Sequence, residues 1–216
     1  MNKILNRIFE DAAPIFFIGV LLVLSFIVNV NADEDILVES VTIIGTKDDV
    51  KDLAGSGAVI SNEDLEKAMD TDIQKILSAV PGVYMRTEEG YGLRPNISIR
   101  GTAIERSGKV TIMEDGVLVA PSPYTSSSAY YFPTTGRIYA VEVLKGPSAV
   151  PLGPQSIGGA INLISTPIPD VNSGKFIQEI GENGMARTHA YYGASQGNFG
   201  ALVEIHEHSS DGFDSI

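Results

Sequence analysis

His206 and His208 stand two residues apart, the spacing that sets two side chains on one face of a strand, and Glu204 shares that face. Imidazole and carboxylate groups are metal ligands. A zinc site, however, needs three or four ligands held in fixed geometry, and only His189 remains elsewhere in the chain. The expectation is therefore a wet strand face and no metal site. Cysteine is absent, which removes disulfides, thiolate metal sites and a thiol nucleophile. There is no G-x-S-x-G elbow, no phosphate loop and no H-E-x-x-H pair, and Gly153-Pro154-Gln155-Ser156 reads as a turn. Neither an enzymatic activity nor a cofactor is expected.

Charge and composition narrow the partners. The 216 residues carry a formal net charge of -12, so nucleic acid, with its phosphate backbone, is excluded as an expected partner. A hydrophobic fraction of 44% is ordinary for a globular chain, whereas 22 Gly and 11 Pro point to turns and short elements in place of long helices.

The elements that would position any site begin after an address. Lys3 and Arg7 precede an apolar run over 15–28, shorter than the roughly 20 residues that span a bilayer. Val30-Asn31-Ala32 follows with the spacing of a cleavage site, although Glu10 and Asp11 offset the basic start. Residues 1–32 are expected to be a cleaved secretory signal, with an uncleaved anchor as the alternative. No later stretch is long and apolar enough for a membrane helix, so a membrane-embedded mature chain must use strands closed into a barrel.

Beyond an acidic start over 33–35, Ile36-Leu37-Val38 and Val41-Thr42-Ile43-Ile44 read as extended segments ended by Gly45. A loop leads to a short strand, Ala58-Val59-Ile60. Ser61-Asn62-Glu63-Asp64 and Thr71-Asp72-Ile73-Gln74 each carry a helix-capping pattern, and Ile73, Ile76, Leu77 and Val80 share one helical face that Pro81-Gly82 ends. Strands are expected at 83–86, 96–100, 110–113, 117–119, 140–145 and 160–165. The strand at 96–100 alternates as a half-buried one should, and Asp115-Gly116 is a tight hairpin turn. Pro167 and Pro169 mark a linker. Long strands then follow at 175–180, 186–195 and 201–208, separated by Gly/Asn turns. In the last, Ala201, Val203 and Ile205 alternate with Leu202, Glu204, His206 and His208. That pattern suits a wall between lipid and water, and a half-buried soluble sheet equally.

Six segments, in order, resemble the TonB-dependent outer-membrane receptors. Ile36, Leu37, Val38, Glu39, Ser40 and Val41 resemble the TonB box, and Leu77-Ser78-Ala79-Val80-Pro81-Gly82-Val83 a helix-to-strand junction of the plug. Ile97-Ser98-Ile99-Arg100-Gly101 and Met113-Glu114-Asp115-Gly116-Val117 resemble the I-x-I-R-G strand and the D-G-V hairpin. Val141-Glu142-Val143-Leu144-Lys145-Gly146-Pro147 and Gly158-Gly159-Ala160-Ile161-Asn162 resemble V-E-V-x-K/R-G-P and G-G-x-I-N. Tyr91-Gly92-Leu93-Arg94-Pro95-Asn96, Arg106-Ser107, Pro121-Ser122-Pro123-Tyr124 and Ala129-Tyr130-Tyr131-Phe132-Pro133-Thr134 bring the likeness nearest to ferric dicitrate-type receptors, without room for a signalling domain between Ala32 and Ile36.

The resemblance implies an α+β plug domain with a mixed sheet and short helices, followed by the first strands of an antiparallel transmembrane β-barrel. The implied divisions are a signal peptide at 1–32, the box and N-terminal segment at 33–45, the plug at 46–169 and the start of the barrel at 170–216. The implied location is the bacterial outer membrane, with the plug inside the barrel lumen. The implied partners are TonB with its inner-membrane energising complex, a ferric siderophore and outer-membrane lipid.

Residue by residue, the resemblance makes 36–41 the TonB-binding segment, the alternative being a first plug strand that stays paired. It makes Arg100 a lock between plug and barrel, the alternative being an arginine that reaches solvent. Ala140 replaces the family's second arginine, so Arg137 is the nearest candidate beside Glu142 for the rest of the lock. Arg94 and Arg106, with Tyr124, Tyr130 and Tyr131, are the expected ligand face: guanidinium groups donate paired hydrogen bonds to the carboxylates of an anionic iron chelate. The cargo reading is ferric citrate, against another siderophore, haem, cobalamin or a glycan, and against a secreted binding module with no barrel. About three strands cannot close a barrel, so the sequence is further expected to be a truncated piece unable to transport by itself.

Overall fold

The computed structural model describes residues 42–68, 72–86, 88, 93–119 and 131–212. The signal segment, the box at 36–41, Tyr124 and Tyr130 lie outside the described residues. Of the described residues, those up to Pro167 form one compact unit and those from Ile168 onward another.

The first unit is built on a five-stranded mixed sheet. Its strands are β1 (Ser56–Ile60), β4 (Val110–Glu114), β5 (Val117–Leu118), β6 (Ile138–Lys145) and β7 (Gly159–Ser165), in the order β1-β6-β7-β4-β5. β4 and β7 run parallel, and the other neighbours run antiparallel. A separate hairpin pairs β2 (Val83–Arg86) with β3 (Asn96–Ile99).

Period-two alternation sorts each central strand between two apolar clusters. Val141 and Val143 of β6, Ile161 and Leu163 of β7, and Val110 and Ile112 of β4 pack with Ile73, Ile76, Leu77 and Val80 of the second helix and with Val83, Ile97 and Ile99 of the hairpin. On the opposite side Leu144, Ala160 and Met113 pack with Ile44 and Ala149. Both faces of the sheet are thus covered, and each fully buried Ile, Leu or Val stabilises the unit by roughly 1.5–3 kcal/mol.

The first short helix starts at the expected cap, Ser61, and the second at Asp72, one residue beyond the Thr71 that the pattern with Gln74 at its third position implies. In α1 (Asn62–Ala68) the Ser61 Oγ donates to Asp64 Oδ2 at 2.7 Å, and Ser61 N–H donates to the same oxygen at 2.9 Å. This is a capping box with Asp at its third position. α2 (Ile73–Ser78) is capped by Asp72, whose carboxylate accepts from Gln74 N–H at 2.8 Å. The face of Ile73, Ile76, Leu77 and Val80 is buried as expected.

Two turns follow from backbone demands. Asp115 and Gly116 both take positive φ, at 50° and 76°, as a two-residue hairpin turn of the I′ kind requires. At Gly159 a Cβ would lie 2.3 Å from the carbonyl oxygen of Leu144, so only glycine lets β7 approach β6 there.

One expectation needs correction. β3 is not half exposed: all four of its residues are buried. Ser98 Oγ donates to Thr102 O at 2.6 Å, and Asn96 Oδ1 accepts from Arg106 N–H at 2.7 Å. The segment after β3 folds back over the polar face and satisfies it.

The second unit is an antiparallel meander of β8 (Ser173–Ile180), β9 (Ala186–Gln196) and β10 (Phe199–Ser209). Gly197-Asn198 joins β9 to β10 in register Gln196 to Phe199. No described helix is long and apolar enough to cross a membrane, a statement that does not touch strands.

Candidate ligand and docking sites

Asn96, at the start of β3, organises the first candidate site. Its side-chain oxygen holds the Arg106 backbone, while Ser107 Oγ accepts from Ile97 N–H at 2.9 Å and donates to Pro95 O at 2.9 Å. These bonds fix Arg106 and Ser107 in the left-handed region, at φ 53° and 55°. Each such non-glycine residue costs on the order of 1–2 kcal/mol, and strain of this kind persists only where surrounding bonds enforce it. Arg94 lies just ahead of the same end of β3, and both side chains are exposed. The Arg106 guanidinium bonds Glu88 through Nη1 at 3.0 Å. An exposed pair of this type contributes about 0–1 kcal/mol, so a stronger anion can displace Glu88.

Tyr131 stands in a second cluster. Its hydroxyl donates to Glu114 Oε2 at 3.2 Å, and Arg137 Nη2 bonds the other oxygen of the same carboxylate. Burial disfavours the Arg137 cation, but the hydrogen bond and charge of Glu114, with Tyr131 adding to them, outweigh it and hold the guanidinium above its ordinary pKa. Of the five expected ligand-face residues, the structure therefore places Arg94 and Arg106 at one end of β3 and Tyr131 on Glu114.

The three expected lock residues are not brought together. Arg137 belongs to the Glu114 cluster. Glu142 is fully buried in β6, and its oxygens accept from the backbone N–H groups of Ile43, Ile44 and Gly45 and from Asn162. Arg100 leaves β3 at φ 54°, exposed, and Nη2 donates to Ser56 Oγ at 2.8 Å. Gly146 makes room for this guanidinium, since a Cβ there would lie 3.2 Å from Nη1. Among the described residues Arg100 forms no ion pair. The nearby cation Lys145 donates to Pro81 O at 3.0 Å, and burial, then the Arg100 charge, lowers its pKa.

Sequence reasoning did not assign Glu88, Glu114 or Asn162 a role. Glu114 and Asn162 both lie inside quoted motifs, but nothing in a motif states which distant group a side chain will meet.

In the second unit, register sorts the side chains by face. Phe176, Ala190 and Ile205 form one row and Gly174, Tyr192 and Val203 another; Phe176, Tyr192, Val203 and Ile205 are exposed. The opposite face carries Lys175, Tyr191 and Glu204 in one row, Ile177, His189 and His206 in the next, then Glu179, Arg187 and His208. His189 Nε2 and Glu204 Oε1 are 2.7 Å apart, and Arg187 pairs with Glu179. His206 and His208 thus share a face with Glu204, as expected. Among the described residues no group of three or more His, Cys, Asp or Glu is placed to hold a metal.

Residues 49–160 match the family model of the TonB-dependent receptor plug domain. Among solved structures, the ferric citrate transporter FecA in its unliganded form is 26% identical with a TM-score of 0.64, the match covering 76% of this chain and 27% of that one. The ferric yersiniabactin uptake receptor FyuA from Yersinia pestis matches in fold at 20% identity and a TM-score of 0.57, over 73% of this chain and 24% of that one. The chain therefore spans about a quarter of the length of these structures. With just over half of its residues inside the plug model, and with a mixed plug sheet followed by antiparallel strands, the chain belongs to the TonB-dependent receptors.

Proposed function

We propose that this chain is the plug-bearing part of an outer-membrane receptor for a ferric siderophore, with ferric citrate as the cargo. The observation that carries the cargo reading is the placement of two exposed arginines at one end of β3, Arg94 just ahead of it and Arg106 on a strained, well-bonded loop. Guanidinium groups there suit a chelate that presents carboxylates. The 26% identity to a ferric citrate transporter supports the same reading. Tyr131, with Tyr124 and Tyr130, is proposed to shield the contact from water. The receptor performs no reaction on its cargo; it binds and releases it.

The remaining assignments go with this function. Residues 1–32 are proposed to be a cleaved export signal, 46–169 the plug and 170–216 the start of a barrel. Residues 36–41 are proposed to add a strand to TonB through main-chain hydrogen bonds, which lets the energised inner-membrane complex pull on the plug. Arg100, with no ion pair among the described residues, is proposed to pair with a carboxylate of the barrel wall, because a guanidinium taken out of water needs one.

Binding of ferric citrate to the full-length receptor tests the cargo. Replacing both Arg94 and Arg106 by Ala is expected to weaken it about tenfold or more, since charge-assisted bonds contribute about 1.5–3 kcal/mol each. Unchanged affinity in the double variant removes the arginine reading. Displacement of ferric citrate by another chelate, or by haem, at far lower concentration reassigns the cargo.

A further inference from the structure

Four hydrogen bonds end on one buried carboxylate. Glu142 lies in the middle of β6 with no exposed surface. Its Oε1 accepts from the N–H groups of Ile44 and Gly45, each at 2.8 Å, and its Oε2 accepts from Ile43 N–H at 2.8 Å and from Asn162 Nδ2 at 3.0 Å. Among the described residues no lysine or arginine pairs with it. A buried carboxylate must have its charge met by pairing or by hydrogen bonds, and here peptide groups of a distant segment meet it. The three backbone bonds lie in the short range of charge-assisted ones, about 2.7–2.9 Å.

The segment that makes these bonds belongs to no strand. Its N–H groups go to a side chain, where a sheet edge would have offered carbonyls. An apolar contact adds to these bonds: Ile44 is buried among Met113, Leu144, Ala149 and Ala160. A β-ladder opens bond by bond along its length. A segment seated on one carboxylate loses its backbone bonds together when that group is withdrawn, and the strands beneath stay paired.

The seat is wired further. Asn162 is paired across from Glu142 in β7, and its Oδ1 accepts from Gly116 N–H at 2.9 Å in the turn between β4 and β5. That turn is bound to β7 again through Asp115, which accepts from Ser165 N–H and Oγ at 2.8 and 2.6 Å. Glu114, which holds Tyr131 and Arg137, is its next residue back.

We infer that Glu142 is a docking residue for the N-terminal segment Ile43-Ile44-Gly45, and that Asn162 couples this dock to the Glu114-Asp115-Gly116 turn. Polar groups chained in a low-dielectric interior reinforce one another, so loosening either end weakens the other. If 36–41 bind TonB, a consequence that rests on the function proposed above, a pull on them reaches the Glu142 dock before it reaches any of the strands β1–β10.

Amide hydrogen exchange on the full-length receptor in detergent, with no siderophore and no TonB present, tests the inference. In Glu142→Gln one acceptor oxygen becomes an NH2 donor facing N–H groups. Exchange over 43–45 is expected to rise about tenfold or more, while the β6–β7 ladder stays within about twofold of wild type. Asn162→Ala is expected to raise exchange both at 43–45 and at Gly116. Wild-type exchange at 43–45 in Glu142→Gln, with faster exchange in Ile44→Ala, assigns the hold to apolar packing and overturns the dock. Wild-type exchange at 43–45 in Asn162→Ala overturns the coupling. Should Glu142→Gln fail to assemble, Glu142→Asp keeps the charge but retracts it by one methylene. The same regional rise is then expected, and its absence overturns the dock. Neither cargo nor TonB enters the assay, so a different cargo or a different TonB contact would leave these rates unchanged.

Discussion

The two larger sheets among the described residues place their apolar side chains differently. In the five-stranded sheet both faces of the central strands are inside, and Val141, Val143, Ile161 and Leu163 of β6 and β7 are almost wholly buried. In the three-stranded meander one face carries exposed large apolar side chains, with Phe176 69% exposed and Ile180 83%, while Ile177 and Leu202 on the other face are half-buried. Its less exposed face also holds an ion pair, Arg187 with Glu179, and a hydrogen-bonded pair, His189 with Glu204. A half-buried soluble sheet would show the reverse, since apolar groups leave water first. The meander is inside out by that standard, which is the pattern of a barrel wall with lipid outside and a polar lumen within. One alternation rule thus turns apolar side chains inward in the five-stranded sheet and outward on one face of the meander.

Core truncations should separate the two sheets most. Leu163→Ala in β7 is expected to destabilise the full-length receptor by about 2–5 kcal/mol, through lost burial and a residual cavity. Ile205→Ala on the outer face of β10 is expected to cost markedly less. Urea unfolding in detergent measures both, and equal losses would break the contrast between the units.

A charge sharpens it from the other side. Ala190→Arg places a cation in the row between Phe176 and Ile205. In lipid vesicles this is expected to cost about 2–4 kcal/mol if the row lies near mid-bilayer. His206→Arg, on the opposite face of β10, should assemble with a much smaller loss. If His206→Arg proves the more damaging, the faces have been assigned the wrong way round.

The amino-acid sequence makes some of this legible and some not. Local signals carried well: the box at Ser61 and Asp64, the Asp115-Gly116 turn and the buried helix face through Leu77 each follow from residues a few positions apart. The pairing of β1 with β6 and the parallel pairing of β4 with β7 were not legible, because strands distant in sequence carry no mark of their partner. The same limit applies at the sites. Arg94 and Arg106 could be placed on exposed loops from sequence, yet Glu88 lies 18 residues from Arg106 and Glu114 lies 23 from Arg137. The V-E-V alternation shows that Glu142 opposes the two valines. It does not show that the face it enters is capped by peptide groups from 43–45.

Within the first unit, Glu114 offers an intermediate effect. Glu114→Ala strips Arg137 and Tyr131 of a shared acceptor at a partly buried position. The expected loss is about 1–3 kcal/mol, the cost of leaving a donor unmet. Glu88→Ala, at the exposed Arg106 pair, should change stability by less than about 1 kcal/mol. A larger loss from Glu88 than from Glu114 would reverse the order set by burial.

The smallest effect lies at the rim of the same unit, where Lys47 and Ser61 meet Asp64. The hydrogen bonds from Lys47 and then Ser61 lower the Asp64 pKa from 3.8 to about 2. A carboxylate depressed in the folded state stabilises it fully above the unfolded value, and that contribution fades as pH falls from about 4 through about 2. Both partners of the ion pair keep more than a third of their side-chain surface in water, at 56% and 37%, so solvent screening reduces its contribution to a few tenths of a kcal/mol. Ser61→Ala also removes the cap, for about 1 kcal/mol in total. Thermal unfolding of the receptor should therefore show a Ser61→Ala deficit that is level from pH 7 to about 4 and narrows below it. A deficit that stays constant down to pH 2 would mean that Ser61 Oγ acts by accepting from the Asp64 N–H alone, without the Asp64 charge.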